Sequence, residues 1–190
     1  MGDIDYYAPL SNSLSIAQIV TMFITPFVMK KIGKRNTMLI GTIVSTAGFF
    51  LTGVAGVSLT VQITASIIKG IGFGCSAAVM FGMLQDAITY GQWQNGYGSS
   101  GMGNAASSFC MKVGSGIGTA ALGWILSFGK FNATLAEQSS AAISAIGVSF
   151  AWIPAITMFI GVICIFFYDL DKKYDKVVSD LEAGRYKDSI

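Results

Sequence analysis

The chain has 190 residues, of which 53% are hydrophobic and 12% are charged, with a formal net charge of +2 at pH 7. Soluble domains carry roughly 25% charged residues, so a soluble helical protein with a charged outer face is excluded, and we expect no nucleic-acid partner. The sequence has three cysteines, no CxxC pair and no histidine, which gives little support to a disulfide framework or a metal site.

The apolar residues fall into five long blocks, each long enough to cross a membrane, which takes roughly 20 mostly apolar residues. The blocks cover residues 6–29, 37–57, 60–85, 102–128 and 141–168. Runs of this length lack the alternating pattern of barrel strands, and lipid does not tolerate unpaired backbone groups. We therefore predict an all-α integral membrane protein, with a bundle of five transmembrane helices over residues 1–168 and a cytoplasmic tail, expected to be helical, over residues 169–190.

Basic residues lie almost entirely on one side of this predicted bundle. Those on the favoured side are Lys30, Lys31, Lys34, Arg35, Lys172, Lys173, Lys176, Arg185 and Lys187. Only Lys130 falls on the opposite side, so the positive-inside rule predicts an outside N-terminus and a cytoplasmic C-terminus in a multi-pass protein of the cytoplasmic membrane. The opening MGDIDYY has no basic region and no cleavage site, and we interpret it as the edge of something longer.

Polar residues recur at helical spacing in three blocks, so each set shares one face of a helix. The sets are Ser11, Ser15, Gln18 and Thr25; Gln62, Ser66, Lys69 and Ser76; and Gly101, Asn104, Ser108, Lys112 and Ser115. Lys112 lies near the middle of its block, and Lys69 lies a turn or less further out. A lysine at mid-membrane costs about 2.5–3.5 kcal/mol and usually faces a cavity or a partner.

No carboxylate lies in the interior of any block, so a partner for Lys112 must come from sequence outside this chain, from a ligand or from water. We predict that Lys112 is a functional cavity residue. For Lys69 the functional and structural interpretations are nearly balanced.

The segment DAITYGQWQNG at residues 86–96, followed by FCMKVGSGIG at residues 109–118, resembles the glycoside–pentoside–hexuronide:cation symporter family of the major facilitator superfamily. The basic turn FVMKKIGKR and the tail YDLDKKYDKVVSDLEAGR resemble the same family, so the resemblance covers essentially the whole chain. It implies the last five of twelve helices, the C-terminal portion of a fold whose two six-helix halves bind substrate between them near the midplane.

The resemblance also implies roles for individual residues. Lys112 is expected near the sugar and cation sites, and Ser107 and Ser108, one helical turn before it, are expected to face the sugar. The predicted cavity set is completed by Asn104, Lys69 and Gln18.

The segment that begins at Asp86 is expected to be an inner gate loop, with Asp86, Tyr90 and Gln92 as its gate residues. The sequence departs from the family pattern here, because Thr89 and Gln92 stand where the family has an aspartate and a glutamate. Gating is therefore expected to rely on neutral hydrogen bonds.

We predict transport of a sugar or glycoside, coupled to Na⁺ or H⁺ by alternating access, with no other cofactor and no enzymatic activity. Because five helices supply only part of the cavity, we expect that the chain needs a missing N-terminal half or a partner chain. The alternative is a homo-oligomeric anion channel with Lys112 and Lys69 lining its pore. An intramembrane enzyme is disfavoured by the absence of histidine and of HExxH and GxSxG motifs.

Overall fold

The computed structural model describes residues 7–55, 58–98, 100–132, 134–135 and 138–187, and its regular elements there are all helical. The outermost residues of the predicted bundle and tail, 1–6 and 188–190, lie outside the described residues. The helices are α1 (Tyr7–Ile32), α2 (Lys34–Val54), α3 (Leu59–Asn95), α4 (Ser100–Phe128), α5 (Ser140–Gly147), α6 (Ile153–Phe166) and α7 (Tyr174–Glu182). A π-helical turn, Val148–Trp152, joins α5 to α6, and a 3₁₀ turn, Leu170–Lys172, precedes α7.

Within the described residues, five helical segments are long and apolar enough to cross a membrane: α1, α2, α3, α4 and the continuous stretch formed by α5, the π-turn and α6. This confirms the predicted all-α fold class with five candidate membrane helices. The end of the bundle at which α1 finishes, α2 begins and α3 finishes carries most of the lysines and is called the basic end below.

The third helix is longer than its apolar block. It continues ten residues beyond Gln85 to Asn95, so the prediction that Asp86, Tyr90 and Gln92 lie in a loop is wrong: all three lie on helical turns. Residues 86–95 contain no proline, so nothing interrupts the backbone ladder. The helix ends at Gly96, which adopts φ 76° and donates its N–H to the carbonyl of Gln92, a conformation that glycine adopts without strain.

Helix α3 is packed between α1 and α2 through glycines on two of its faces. Gly70 and Gly74 face α1, and Gly72 faces α2. A Cβ atom at Gly72 would lie 2.5 Å from the backbone nitrogen of Ser45 and 2.6 Å from the carbonyl oxygen of Gly41. Glycines of this kind let membrane helices approach closely enough for their backbones to touch, so α1, α2 and α3 form a tightly packed group.

Helix α4 lies at the edge of this group. None of its described residues is buried, and its close contacts lie towards its two ends. Near the basic end Gly103 packs against Ile88 of α3, and at the other end Gly129 packs against Ala145 of α5. The residues in the middle of α4, 108–120, are exposed.

Candidate functional site

The polar face of α4 is exposed on the surface of the bundle. Asn104, Ser108 and Lys112 are exposed, and Ser107 is half-buried. Lys112 follows the first residue of α4 by twelve positions and precedes the last by sixteen, which places it about 18 Å and about 24 Å from the two ends. No residue within the described ranges gives Lys112 a hydrogen bond or an ion pair.

One hydrogen bond fastens this polar face to the packed group. The side-chain amide of Gln85 on α3 donates to the Oδ1 atom of Asn104 at 3.0 Å, and the Nδ2 atom of Asn104 donates to the carbonyl of Ser100 at 3.0 Å. Asn104 therefore holds the first turns of α4 beside α3. Lys112, two turns further along, is left facing outwards.

The polar stripe of α3 faces α2. The amide of Gln62 donates to the carbonyl of Thr52 at 3.3 Å, and Ser66 is buried. The ammonium nitrogen of Lys69 lies 5.3 Å from the centre of the Phe49 ring. An aromatic face stabilises a cation electrostatically, so α2 offers Lys69 a partner of a kind that Lys112 lacks within the described chain.

Gln18 lies where α1 crosses α3. Its backbone nitrogen would be 3.2 Å from a Cβ atom at Gly70, and the residue as a whole is half-exposed. Of the predicted cavity residues, the structure shows Asn104, Ser107, Ser108 and Lys112 together on successive turns of α4. No hydrogen bond, ion pair or ring contact among the described residues joins Gln18 or Lys69 to that set.

A second polar site lies at the basic end. The ammonium group of Lys34, at the start of α2, donates to both carboxylate oxygens of Asp86, at 2.7 and 2.5 Å. The Asp86 residue is only 3% exposed, and the Lys34 nitrogen also lies 4.9 Å from the centre of the Tyr174 ring on α7. Asp86 is thus neutralised across two helices.

The neighbouring residue ties the same end to the last membrane helix. The backbone N–H of Arg35 donates to the carboxylate of Asp171 at 2.7 Å, which satisfies a free amide of the first turn of α2. The Arg35 guanidinium donates to the carbonyls of Ile165 and Phe166, which end α6. Each of these two helix ends is therefore capped by a group from elsewhere in the fold.

Lys34, Arg35, Asp86, Asp171 and Tyr174 line an open cavity of about 620 Å³ and are called the basic-end cluster below. Sequence reasoning identified Asp86 and missed the other four as members of a site. Their signal was present as a short basic turn and an acidic–basic tail, but nothing in the sequence indicates that the two segments meet.

The two remaining predicted gate residues lie further along α3. The Tyr90 ring packs against that of Trp93, with their centres 5.7 Å apart. The Gln92 side chain lies near Gly98, where a Cβ atom would be 3.8 Å away.

Comparison with known proteins matches residues 6–172 to the model of a family described as MFS/sugar transport protein. The isoprimeverose transporter of Lactiplantibacillus pentosus is 37% identical over 171 residues, which cover 89% of this chain and 36% of the relative. The glucuronide carrier protein homolog of Escherichia coli K12 is 31% identical over 169 residues, or 88% of this chain and 37% of the relative.

A third relative, the inner membrane symporter YicJ of Escherichia coli K12, is 31% identical over 121 residues, covering 64% of this chain and 26% of that protein. The chain therefore spans little more than a third of the length of the first two relatives.

Proposed function

The chain belongs to the MFS/sugar transport protein family, in agreement with its resemblance to the glycoside–pentoside–hexuronide:cation symporters, and on that premise we propose that it forms part of a carrier that moves a sugar or glycoside across a membrane. It is not an enzyme, since its named relatives are transporters and symporters. The transport is coupled to Na⁺ or H⁺ and proceeds by alternating access. The basic end faces the cytoplasm, and the bundle corresponds to the last five of twelve helices.

The observation that carries this proposal is the exposed polar face of α4. Ser107, Ser108 and Asn104 offer hydroxyl and amide groups that suit the hydroxyls of a sugar. Lys112 is an ionisable residue in the middle of a candidate membrane helix, with no hydrogen bond or ion pair within the described residues, and such residues mark substrate and ion pathways. The relatives extend far beyond the matched third, so the carboxylate that pairs with Lys112 belongs to the rest of the carrier or to a partner chain.

The basic-end cluster serves as part of the cytoplasmic gate in this proposal. Its ion pair Lys34–Asp86 joins the beginning of α2 to α3. When this end opens, either the ion pair breaks or α2 and α3 move as one unit. Tyr90 and Gln92 lie on the following turns of the same helix, where they are placed to form the neutral contacts of the gate. The proposed gate thereby combines the Lys34–Asp86 ion pair with hydrogen-bonding groups, instead of the neutral hydrogen bonds alone that the sequence suggests.

A chimera tests the proposal directly. The matching third of the isoprimeverose transporter is replaced by this chain, and uptake of labelled isoprimeverose into membrane vesicles is measured with and without a Na⁺ or H⁺ gradient. We expect saturable, gradient-driven accumulation. Lys112→Met should abolish that accumulation while the protein stays in the membrane, because it leaves the opposing carboxylate unpaired.

The matched control is Lys69→Gln, which we expect to retain more transport than Lys112→Met because Lys69 packs against Phe49. Equal loss in both variants would contradict the assignment of Lys112 to the cavity. Near-normal accumulation by Lys112→Met would contradict the charge pair. Sugar-independent anion current through the 190-residue chain in a planar bilayer would instead favour the channel.

A further inference from the structure

The last membrane helix is interrupted near its middle by the π-turn Val148–Trp152. Pro154 lies two residues beyond this turn, near the start of α6. Proline has no N–H, so the carbonyl of Phe150 lacks the donor that a regular α-helix would provide. The N–H of Ile153 meanwhile bonds back to the carbonyl of Val148, five residues away. The backbone ladder is therefore widened and weakened at this point.

The part of the helix that precedes the turn packs against α4. A Cβ atom at Gly129 would lie 2.5 Å from the Cβ atom of Ala145 and 3.3 Å from the carbonyl of Ala141. Both alanines belong to α5, and Ala145 is buried. This close contact of small residues, one position past the last residue of α4, joins the end of α4 to α5.

The turn itself and the part that follows it pack against α2. The Trp152 ring meets Phe50 edge-on, with centres 5.6 Å apart, and lies 3.1 Å from where a Cβ atom of Gly53 would be. Further along, Gly161 faces Thr42. The two parts of one membrane helix thus belong to different packing groups, and the irregular backbone lies at the boundary between them.

We propose that the π-turn Val148–Trp152 is a flexure, about which α4 and α5 move together relative to α1, α2, α3 and α6. This proposal deepens the proposed function and rests on it for its biological role. The moving helix carries Lys112, so bending at the turn opens or closes one side of the cavity. The amide contact between Gln85 and Asn104 at the basic end limits the movement there, so the displacement is largest at the opposite end of α4.

Distances between paired spin labels test the flexure in the full 190-residue chain in lipid nanodiscs. One pair crosses the turn, with labels at Ser127 at the end of α4 and at Val54 at the end of α2. A reference pair joins Val54 to Ile16 on α1, within the packed group. All three positions are exposed, and the native cysteines are first replaced by alanine: Cys75, Cys110 and Cys164.

We expect the pair that crosses the turn to give a broader distance distribution than the reference pair. Pro154→Ala should narrow it towards the reference width, because it restores the missing N–H. Pro26→Ala is the matched control, since Pro26 also lies inside a membrane helix, α1, and it should leave the crossing pair unchanged. Trp152→Ala, which frees the turn from α2, should broaden that pair further while the reference pair reports an intact fold.

The proposal is overturned if the crossing pair is no broader than the reference pair. It is also overturned if Pro154→Ala leaves the breadth unchanged, because the looseness of α4 would then have another origin. These distances are measured without sugar or cation, so they test the flexure even if the transport proposal fails. If the flexure fails, the uptake experiment still tests transport.

Discussion

Helices α3 and α4 are both long, glycine-rich and interrupted by one lysine, yet they meet opposite surroundings. In α3, Gly70, Gly72 and Gly74 are packed against the backbones of α1 and α2, and Lys69 lies beside the Phe49 ring. In α4 a Cβ atom at Gly114, Gly116 or Gly118 would meet nothing within 4 Å. The same composition therefore supports a finished helix interface in one place and an open surface in the other.

The difference indicates where this chain is self-sufficient. Close packing of small residues is one source of stability between membrane helices, and Gly70, Gly72 and Gly74 of α3 are already packed against α1 and α2. The small residues and polar stripe of α4 remain available, and in the proposed carrier they pack against the portion of the protein that this chain does not include. Three substitution experiments on the 190-residue chain in lipid-containing micelles sharpen the contrast.

The largest effect is expected at the basic end of the packed group. Lys34→Ala should lower the free energy of unfolding by about 3 kcal/mol, because it leaves the buried Asp86 carboxylate unpaired; the 29% exposure of the Lys34 side chain keeps the loss at the low end for a buried pair. Denaturant unfolding followed by tryptophan fluorescence measures the loss.

Adding Asp86→Asn to Lys34→Ala should restore much of that stability by removing the stranded charge. Lys31→Ala, at an exposed neighbouring lysine, is the control. If Lys31→Ala and Lys34→Ala unfold alike, the ion pair does not hold this end together.

A smaller effect is expected from one added methyl group. Gly72→Ala should destabilise the chain by about 1–3 kcal/mol, the usual range for overpacking a filled interface, because the new Cβ meets the backbones of Ser45 and Gly41. The same unfolding measurement on Gly116→Ala should show no loss or a gain of up to about 1 kcal/mol, because alanine favours a helix and the space is open. Equal losses of stability at the two positions would contradict the difference in packing between α3 and α4.

The smallest effects separate the two lysines. Lys69→Met should cost about 1 kcal/mol of stability through loss of the contact with Phe49, whereas Lys112→Met should leave the stability of this chain unchanged or raise it. Thermal unfolding by circular dichroism compares the two variants. A greater loss from Lys112→Met would show that Lys112 has a partner within this chain.

Much of the fold was predictable from the sequence, because a membrane helix is encoded locally by its length and apolar content. The five candidate helices follow from that signal alone. The last turns of α3 were missed for the same reason: residues 86–95 lack a continuous apolar run and include glycine and asparagine, and such a segment next to a membrane helix resembles a loop. The helix continues to Asn95, next to Gly96, and Asp86 pairs with Lys34, neither of which hydropathy detects.

The sites were less predictable, because their contacts are long-range. Lys34 and Asp86 are separated by 52 positions, and Arg35 and Asp171 by 136, so no spacing rule connects them. The helical stripe containing Lys112 was visible as periodicity, but its exposure depends on which helices surround α4. The stripe containing Lys69 has the same periodicity but faces α2. That orientation is set by the packing of α2 against α3, which the sequence does not show.

The length of α3 has a mechanical consequence. Its 37 residues extend for about 55 Å, whereas the hydrocarbon core of a bilayer is about 30 Å thick. We therefore expect the turns that follow Gln85 to extend beyond the lipid, so that a small tilt of the helix within the membrane produces a larger displacement at its C-terminal end. Rearrangements too small to disturb the packing around Gly72 would in this way produce larger displacements at Tyr90 and Gln92.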